Sequence, residues 1–369
     1  MKISVVLPVY NVEEFIEDCL LSLLNQSIGE KNLEIILIDD CSTDNTFEKI
    51  KKFQNKFTNI IYHRLNENQG SPGKPRNIGV EISSGDYLHF MDPDDVLEED
   101  AYETLLNFMC ENDDFAMGKM LSFNEDGTHF EHVTFKEYKL NKTYKSTNII
   151  ETPFFAQVKV GVVLKLIKKE FYINNNISFI ENMKNGEDKI VDTLLYTRAK
   201  SFSYIPYVIY KYRNRDSGEN KSLTHQEVKA SIYNDIDAFY TSEKFYNKEI
   251  LEFFKINVMR SIFWKILDYD FEYLNYEEKI DIFQQINKIL GEYDESIMIL
   301  YLKNEEPIVK LIKQHEYELA LSYASLLTAR RNYFYKGIDI EQRFKEFENF
   351  RHSKSYKMYK FMKLLKLNK

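Results

Sequence analysis

The acidic group Asp92-Pro93-Asp94-Asp95 directly follows the apolar run Tyr87–Met91. Carboxylates two residues apart at a strand end, such as Asp92 and Asp94, can meet one hard cation directly or through water. Mg²⁺ or Mn²⁺ held in this way can bridge the oxygens of a diphosphate and neutralise the charge on a departing nucleoside diphosphate. The same residues can instead form a solvated turn capping a helix from Glu98. Asp39-Asp40 ends a second apolar run, Leu33–Ile38. A carboxylate there can accept a hydrogen bond from a base N–H such as that of uracil, or cap the next helix. Asn68-Gln69-Gly70 leads through Pro75 to Arg76, Asn77 and Gly79. A glycine loop entering a helix whose first turn carries Arg can cradle phosphate, although a plain loop with an exposed Arg has the same pattern. Gly186-Glu187-Asp188 precedes an apolar helix pattern, Ile190, Val191, Leu194 and Leu195. A carboxylate at a helix start can point into a cleft as a general base, or complement the helix N-terminus.

These groups need a scaffold, and the first half of the chain supplies one. Ile3–Val9 is a continuous apolar run, as expected of a parallel strand buried on both faces. Glu13–Leu24 has helical periodicity, with Phe15, Ile16, Cys19, Leu20, Leu23 and Leu24 on one face. Leu33–Ile38 is a second strand. Ser42-Thr43-Asp44 starts a helix running to about Lys56, Ile60–Arg64 is a third strand, and Pro75 suits the first turn of the next helix. Tyr87–Met91 is a fourth strand. Alternating strands and helices predict an α/β domain with a mainly parallel central sheet. Ligands bind such sheets beyond the carboxyl ends of the strands, where both acidic groups fall. Residues 115–225 read as mixed short strands and loops. After about residue 226 Gly and Pro nearly vanish and long amphipathic stretches follow. The expected domains are therefore 1–225, α/β, and 226–369, all-helical.

Composition narrows the class. The chain has 369 residues, with 44% apolar and 29% charged, an ordinary globular balance of about two domains. A net charge of −9 disfavours nucleic acid, whose phosphates require concentrated positive charge. Cys19, Cys41 and Cys110 show no CxxC spacing, so neither a disulfide framework nor a zinc site is readable. There is no signal-peptide pattern and no apolar run long enough to span a membrane. These features predict a cytoplasmic protein.

Taken in order, the motifs resemble the family 2 inverting glycosyltransferases of GT-A fold. The resemblance rests on Ser4-Val5-Val6-Leu7-Pro8-Val9-Tyr10-Asn11, Leu23-Leu24-Asn25-Gln26-Ser27 and Ile38-Asp39-Asp40-Cys41-Ser42-Thr43-Asp44. Arg76-Asn77-Ile78-Gly79, Asp92-Pro93-Asp94-Asp95 and Glu187-Asp188 complete the set. It covers about residues 1–225 and implies a residue-by-residue assignment. Pro8, Tyr10 and Asn11 line the nucleotide pocket, Asp40 with Asp39 contacts the uracil, and Asn68 belongs to the donor loop. Arg76 sits near the diphosphate or donor sugar, and Asp92 contacts ribose or sugar hydroxyls. Asp94, with or without Asp92, holds Mn²⁺ or Mg²⁺. Asp188, beside Glu187, is the base. Many such enzymes add a late histidine to the metal site; here the candidate is His225, whose position fits loosely.

The run from Asn66 to Asn77 is similar to a loop in wall teichoic acid glycosyltransferases, which attach N-acetylglucosamine to poly(ribitol phosphate). That resemblance implies a UDP-sugar donor, UDP-N-acetylglucosamine first among them, a polyol-phosphate polymer as acceptor, and a homo-oligomer, dimer or trimer. Two alternatives stand: a capsular or exopolysaccharide transferase using a lipid-linked or oligosaccharide acceptor, and a catalytically inactive nucleotide-sugar-binding scaffold. At the end of the chain Arg351, Lys354, Lys357, Lys360, Lys363, Lys366 and Lys369 recur every third residue with no acid between them. Such a basic amphipathic helix, 351–369, can lie on the inner face of the cell membrane, attract a polyphosphate polymer or pack on another subunit. Truncation before residue 351 followed by liposome sedimentation distinguishes the first reading from the others.

Overall fold

A computed structural model describes residues 2–124, 127–136, 138–158, 161–214, 228–334, 351–352 and 356–357. His225 and nearly all of the basic tail lie outside the described residues. Strand β1 (Ile3–Val9) is apolar and almost wholly buried. It is followed by α1 (Ile16–Leu24), β2 (Leu33–Asp39), α2 (Thr46–Lys51), β3 (Ile60–Arg64), α3 (Gly73–Ile82) and β4 (Tyr87–Phe90). β1 pairs in parallel with both β2 and β4, and β2 with β3. The register sets Val9 beside Asp39 and Asp39 beside Arg64, so three strands end in one row. Helix α1 buries Ile16, Cys19, Leu20 and Leu23, the spacing of an amphipathic helix with one face on the core. Helix α3 packs on β1 and β2 at close range: a Cβ on Gly79 would lie 2.3 Å from Val6 Cγ1. Glycine here lets the helix approach the sheet and carries Arg76, one turn earlier, to the strand ends.

Beyond β4 the sheet becomes mixed. The elements are β5 (Val96–Leu97), α4 (Ala101–Phe108), β6 (Phe115–Asn124), β7 (His129–Glu131), β8 (Tyr144–Thr147), β9 (Lys165–Lys168), α5 (Lys169–Asn174), α6 (Glu187–Arg198) and β10 (Phe202–Asn214). The strand order is β3-β2-β1-β4-β9-β6-β10-β5, with β7 on β6 and β8 on β10. β9 runs antiparallel to β4 and β6, whereas β10 runs parallel to β6 with irregular register between Tyr204 and Tyr210. No helix starts at Glu98. Val96 and Leu97 instead pair with Lys211 and Tyr210, and α4 begins after Asp100.

Helices follow: α7 (Val228–Ser242), α8 (Lys248–Ile266), α9 (Tyr269–Glu272), α10 (Tyr276–Leu290), α11 (Glu295–Tyr301), α12 (Glu306–Lys313) and α13 (Tyr317–Phe334). The chain divides into two compact units, Met1–Ser261 with Glu292–Tyr301, and Ile262–Gly291 with Leu302–Lys369. The first unit thus holds the sheet together with α7, most of α8 and α11, helices that composition alone groups with the C-terminal part. In the second unit, α10 opens with a capping box: the Asn275 side chain accepts from the Glu278 N–H at 2.9 Å, and the Glu278 carboxylate accepts from the Asn275 N–H at 3.0 Å, satisfying two end donors. Its buried Ile282, Phe283, Ile286 and Ile289 form a helical stripe, and α12 packs on both α10 and α13. Among the described residues no helix is long and apolar enough to cross a membrane.

Candidate active site

The carboxyl end of β2 builds one wall. Asp39 is fully buried and accepts from the Ser42 N–H at 2.9 Å, from Arg64 Nη1 at 2.9 Å and from the Tyr62 hydroxyl. Burial and the neighbouring Asp39 push the Tyr62 phenol up to about 12, so it remains a hydrogen donor. Asp40 accepts from the N–H groups of Gln69 at 2.7 Å and Gly70 at 3.2 Å. Its carboxyl is pushed upward by burial, against those two bonds. Asn68 Nδ2 donates to the Asp40 carbonyl at 2.8 Å. Asn11, at φ 47°, donates its N–H to Ser42 Oγ at 3.0 Å and accepts from the Thr43 N–H at 2.8 Å. The loops after β1, β2 and β3 are thereby tied together. Pro8 is half-buried and Tyr10 is 49% exposed, which leaves the Tyr10 ring available for stacking. Neither aspartate acts as a cap for α2, whose preceding residue is Asn45.

The opposite wall centres on Arg76. Its Nη2 donates to Asp92 Oδ1 at 2.7 Å and its Nη1 to Glu187 Oε1 at 2.7 Å. Arg76 is 4% exposed, and its guanidinium lies 5.1 Å from the Phe179 ring centroid. Burial opposes its charge, but Asp92, Glu187 and Asp188 together hold it firmly protonated. Burial and the adjacent Asp188 push the Glu187 carboxyl upward despite Arg76. Arg76 therefore bridges the end of β4 to the start of α6. Gly186, at φ 91°, makes the left-handed turn into α6, a conformation that favours glycine. Half-buried Asp188 follows in the first helical turn, where the helix dipole favours an anion.

The turn carrying Asp92 and Asp94 is pinned from β10. Asp95 is fully buried. It accepts from the Tyr210 hydroxyl at 2.6 Å and from the Arg213 N–H at 2.7 Å. Arg213 Nε donates to the Asp94 carbonyl at 2.8 Å, and the Asp92 N–H donates to the Tyr210 oxygen at 3.2 Å. Burial, with Asp94 and Asp92 nearby, pushes the Asp95 carboxyl far up. Asp95 is thus an internal group of the turn; of its two companions Asp92 is half-buried and Asp94 is 9% exposed. Among the described residues no three His, Cys, Asp or Glu side chains gather as a metal cluster. Two carboxylates with diphosphate and water oxygens nevertheless match how Mg²⁺ and Mn²⁺ bind alongside phosphates.

The structure thus gathers Asp92, Arg76, Glu187 and Asp188 in one group, and Asn11, Asp39, Asp40 and Asn68 in another, both at strand ends. Tyr62, Arg64, Tyr210 and Arg213, which fix these carboxylates, belong to no motif in the sequence; a charge at the end of a strand, as at Arg64, is the one local signal among them.

The sequence model for Glycosyl transferase family 2 matches residues 4–167. The chain is 33% identical over 226 residues to the poly(ribitol-phosphate) beta-glucosyltransferase of Bacillus spizizenii, covering 61% of this chain and 34% of that protein. It is 31% identical over 247 residues to the poly(ribitol-phosphate) beta-N-acetylglucosaminyltransferase TarP of Staphylococcus aureus, covering 63% of this chain and 72% of TarP. It spans only about a third of the first of these relatives. The crystal structure of S. aureus TarS 1–349 in complex with UDP-GlcNAc superposes with a TM-score of 0.67 at 21% identity, over 90% of this chain and 92% of that one. The mixed sheet, the acidic strand ends and these likenesses place the chain in glycosyl transferase family 2, with a GT-A fold.

Proposed function

We propose that the protein is an inverting glycosyltransferase that moves N-acetylglucosamine from its UDP donor to a hydroxyl of poly(ribitol phosphate) wall teichoic acid. The observation that carries this reading is the Asp92–Arg76–Glu187 bridge, which brings the start of α6, and with it Asp188, to the strand ends that would receive the nucleotide. Asp40 and the loop it organises take the uracil, and Tyr10 covers it. Asp92 binds donor hydroxyls while Arg76 fixes its orientation. A divalent cation, when bound by Asp94 and Asp92, neutralises the charge that develops on the departing UDP. Asp188 accepts the proton of the acceptor hydroxyl as that oxygen attacks the anomeric carbon from the face opposite the diphosphate. Holding donor and acceptor in line supplies much of the barrier reduction, and preorganised charge supplies more.

The relative TarP supports the donor sugar by its name, while the Bacillus spizizenii relative is named for glucose. UDP release from a panel of UDP-sugars, with and without poly(ribitol phosphate), tests the choice. Release from UDP-N-acetylglucosamine that requires the polymer is the expected result. Release from UDP-glucose alone would change the sugar. Release from any donor that ignores the polymer would remove the acceptor.

A further inference from the structure

Arg213 stands near the end of β10, and its side chain, 11% exposed, is held by four neighbours. Its guanidinium carbon lies 4.7 Å from the ring centroid of Phe123 in β6 and 5.1 Å from that of Phe15, the residue before α1. Nη2 donates to Asp18 Oδ2 of α1 at 3.0 Å, and Nε donates to the Asp94 carbonyl at 2.8 Å. A guanidinium suits this place: it is planar, stacks on rings and donates in fixed directions, whereas an ammonium is a point charge on a flexible stem. The turn it grips is short. The Asp95 N–H donates to the Asp92 carbonyl at 3.2 Å, which closes a four-residue turn with Asp94 at its third position. Tyr210 and the Arg213 N–H engage this turn through the Asp95 carboxylate, and Tyr210 also accepts from the Asp92 N–H. The Arg213 side chain takes hold of the Asp94 backbone directly, through a bond in which Asp95 has no part.

We infer that Arg213 is a positioning residue for the divalent cation: by bridging the Asp94 carbonyl to Asp18 of α1, it fixes where Asp94 stands relative to Asp92. This rests on the reading of Asp94 as a cation ligand. Mg²⁺ demands near-ideal coordination geometry, so two carboxylates from one turn can share a cation only if the turn is held in one shape. Outer groups that orient a metal ligand commonly contribute about 10–100-fold to metal affinity. Arg213 does so through the main chain of the ligand, and the two phenylalanine rings and Asp18 hold the arginine in turn.

The test compares Arg213→Met, Arg213→Lys and Asp95→Asn with the parent. It measures Mn²⁺ binding to the protein–UDP complex from the paramagnetic resonance signal of unbound Mn²⁺, UDP affinity without metal by calorimetry, and Tm. R213M keeps an apolar stem between the rings but no donor, and is expected to weaken Mn²⁺ binding about tenfold or more, with metal-free UDP affinity within about threefold of the parent. R213K keeps the charge but cannot hold Asp18 and the Asp94 carbonyl in the two directions of a guanidinium, and is expected to weaken Mn²⁺ binding at least about threefold. D95N lowers Tm through the same strand while leaving the Nε bond in place, and is expected to bind Mn²⁺ as the parent does. An R213M protein with parent-like Mn²⁺ affinity, whatever its Tm, would overturn the proposal by making the arginine purely structural. An R213K protein indistinguishable from the parent would overturn it by leaving charge alone as the role. A loss in D95N equal to that in R213M would overturn it by showing that any loosening of the turn suffices. If R213M does not fold, R213K decides alone on the second criterion. D94N run alongside separates the two levels: parent-like Mn²⁺ binding by D94N would remove the cation ligand and this inference together, whereas its loss with unimpaired R213M and R213K removes only the role of Arg213.

Discussion

Arg76 of α3 and Glu187 of α6, 111 residues apart in sequence, are joined Nη1 to Oε1 at 2.7 Å. Both are buried, and the same guanidinium holds Asp92 at 2.7 Å through its other terminal nitrogen. One arginine therefore fixes the distance between the carboxylate at the end of β4 and the helix start that presents Asp188.

Removing Glu187 leaves Arg76 paired with Asp92 but takes away the acceptor of its buried Nη1. Glu187→Ala is expected to lower stability by about 1–3 kcal/mol, and Glu187→Gln by less, because the amide oxygen can still accept from Arg76. Urea unfolding of the two variants checks the order. An E187A protein as stable as the parent would show that the pair contributes nothing to the fold.

Asp94 and Asp95 are neighbours with different tasks. Asp95→Asn leaves one oxygen where two accept from the Tyr210 hydroxyl and the Arg213 N–H, so its Tm falls while the divalent-cation concentration for half-maximal activity stays near that of the parent. Asp94→Asn is expected instead to raise that concentration about tenfold or more. A cation titration of both variants, with thermal melts, tests the division of labour.

His89 makes stability depend on pH. It is buried in β4 between the Tyr102 hydroxyl and the Val163 carbonyl, each 2.8 Å from a ring nitrogen, and burial lowers its pKa from 6.5 to about 4. The folded protein thus holds the neutral ring, while the unfolded chain takes up a proton below about pH 6.5. Stability conferred by the neutral ring is complete above that pH, declines as pH falls, and is lost by about pH 4. The depressed pKa corresponds to about 3 kcal/mol across that window. Urea melts at pH 7 and pH 4.5 should show a much smaller decrement for His89→Gln than for the parent; equal decrements would assign the acid sensitivity to other groups.

Much of this architecture is visible in the sequence, for a physical reason. Strands β1, β2 and β4 are covered on both faces, so they read as apolar runs interrupted only by Ser4, Pro8, Glu34 and His89, and the acids that end β2 and follow β4 mark the strand ends. Ile60–Arg64 is delimited to the residue. What escapes is non-local. Val96 and Leu97 become β5 because Lys211 and Tyr210 lie beside them, not because of their own periodicity. Apart from the Ser42 N–H on Asp39, the partners of Asp39, Asp95 and Glu187 come from 23 to 118 residues away, and no local pattern announces them. Composition changes near residue 226 because helices begin there, but packing decides which unit a helix joins, and α7 joins the first.

The most direct test of the account is to compare the parent with Asp188→Asn, reading UDP release in the presence of poly(ribitol phosphate) and UDP-N-acetylglucosamine affinity by calorimetry. The account predicts turnover lower by about 10²–10⁴-fold, the usual contribution of a positioned base, with donor affinity near that of the parent. Parent-like turnover, or a donor affinity that collapses together with turnover, would contradict it.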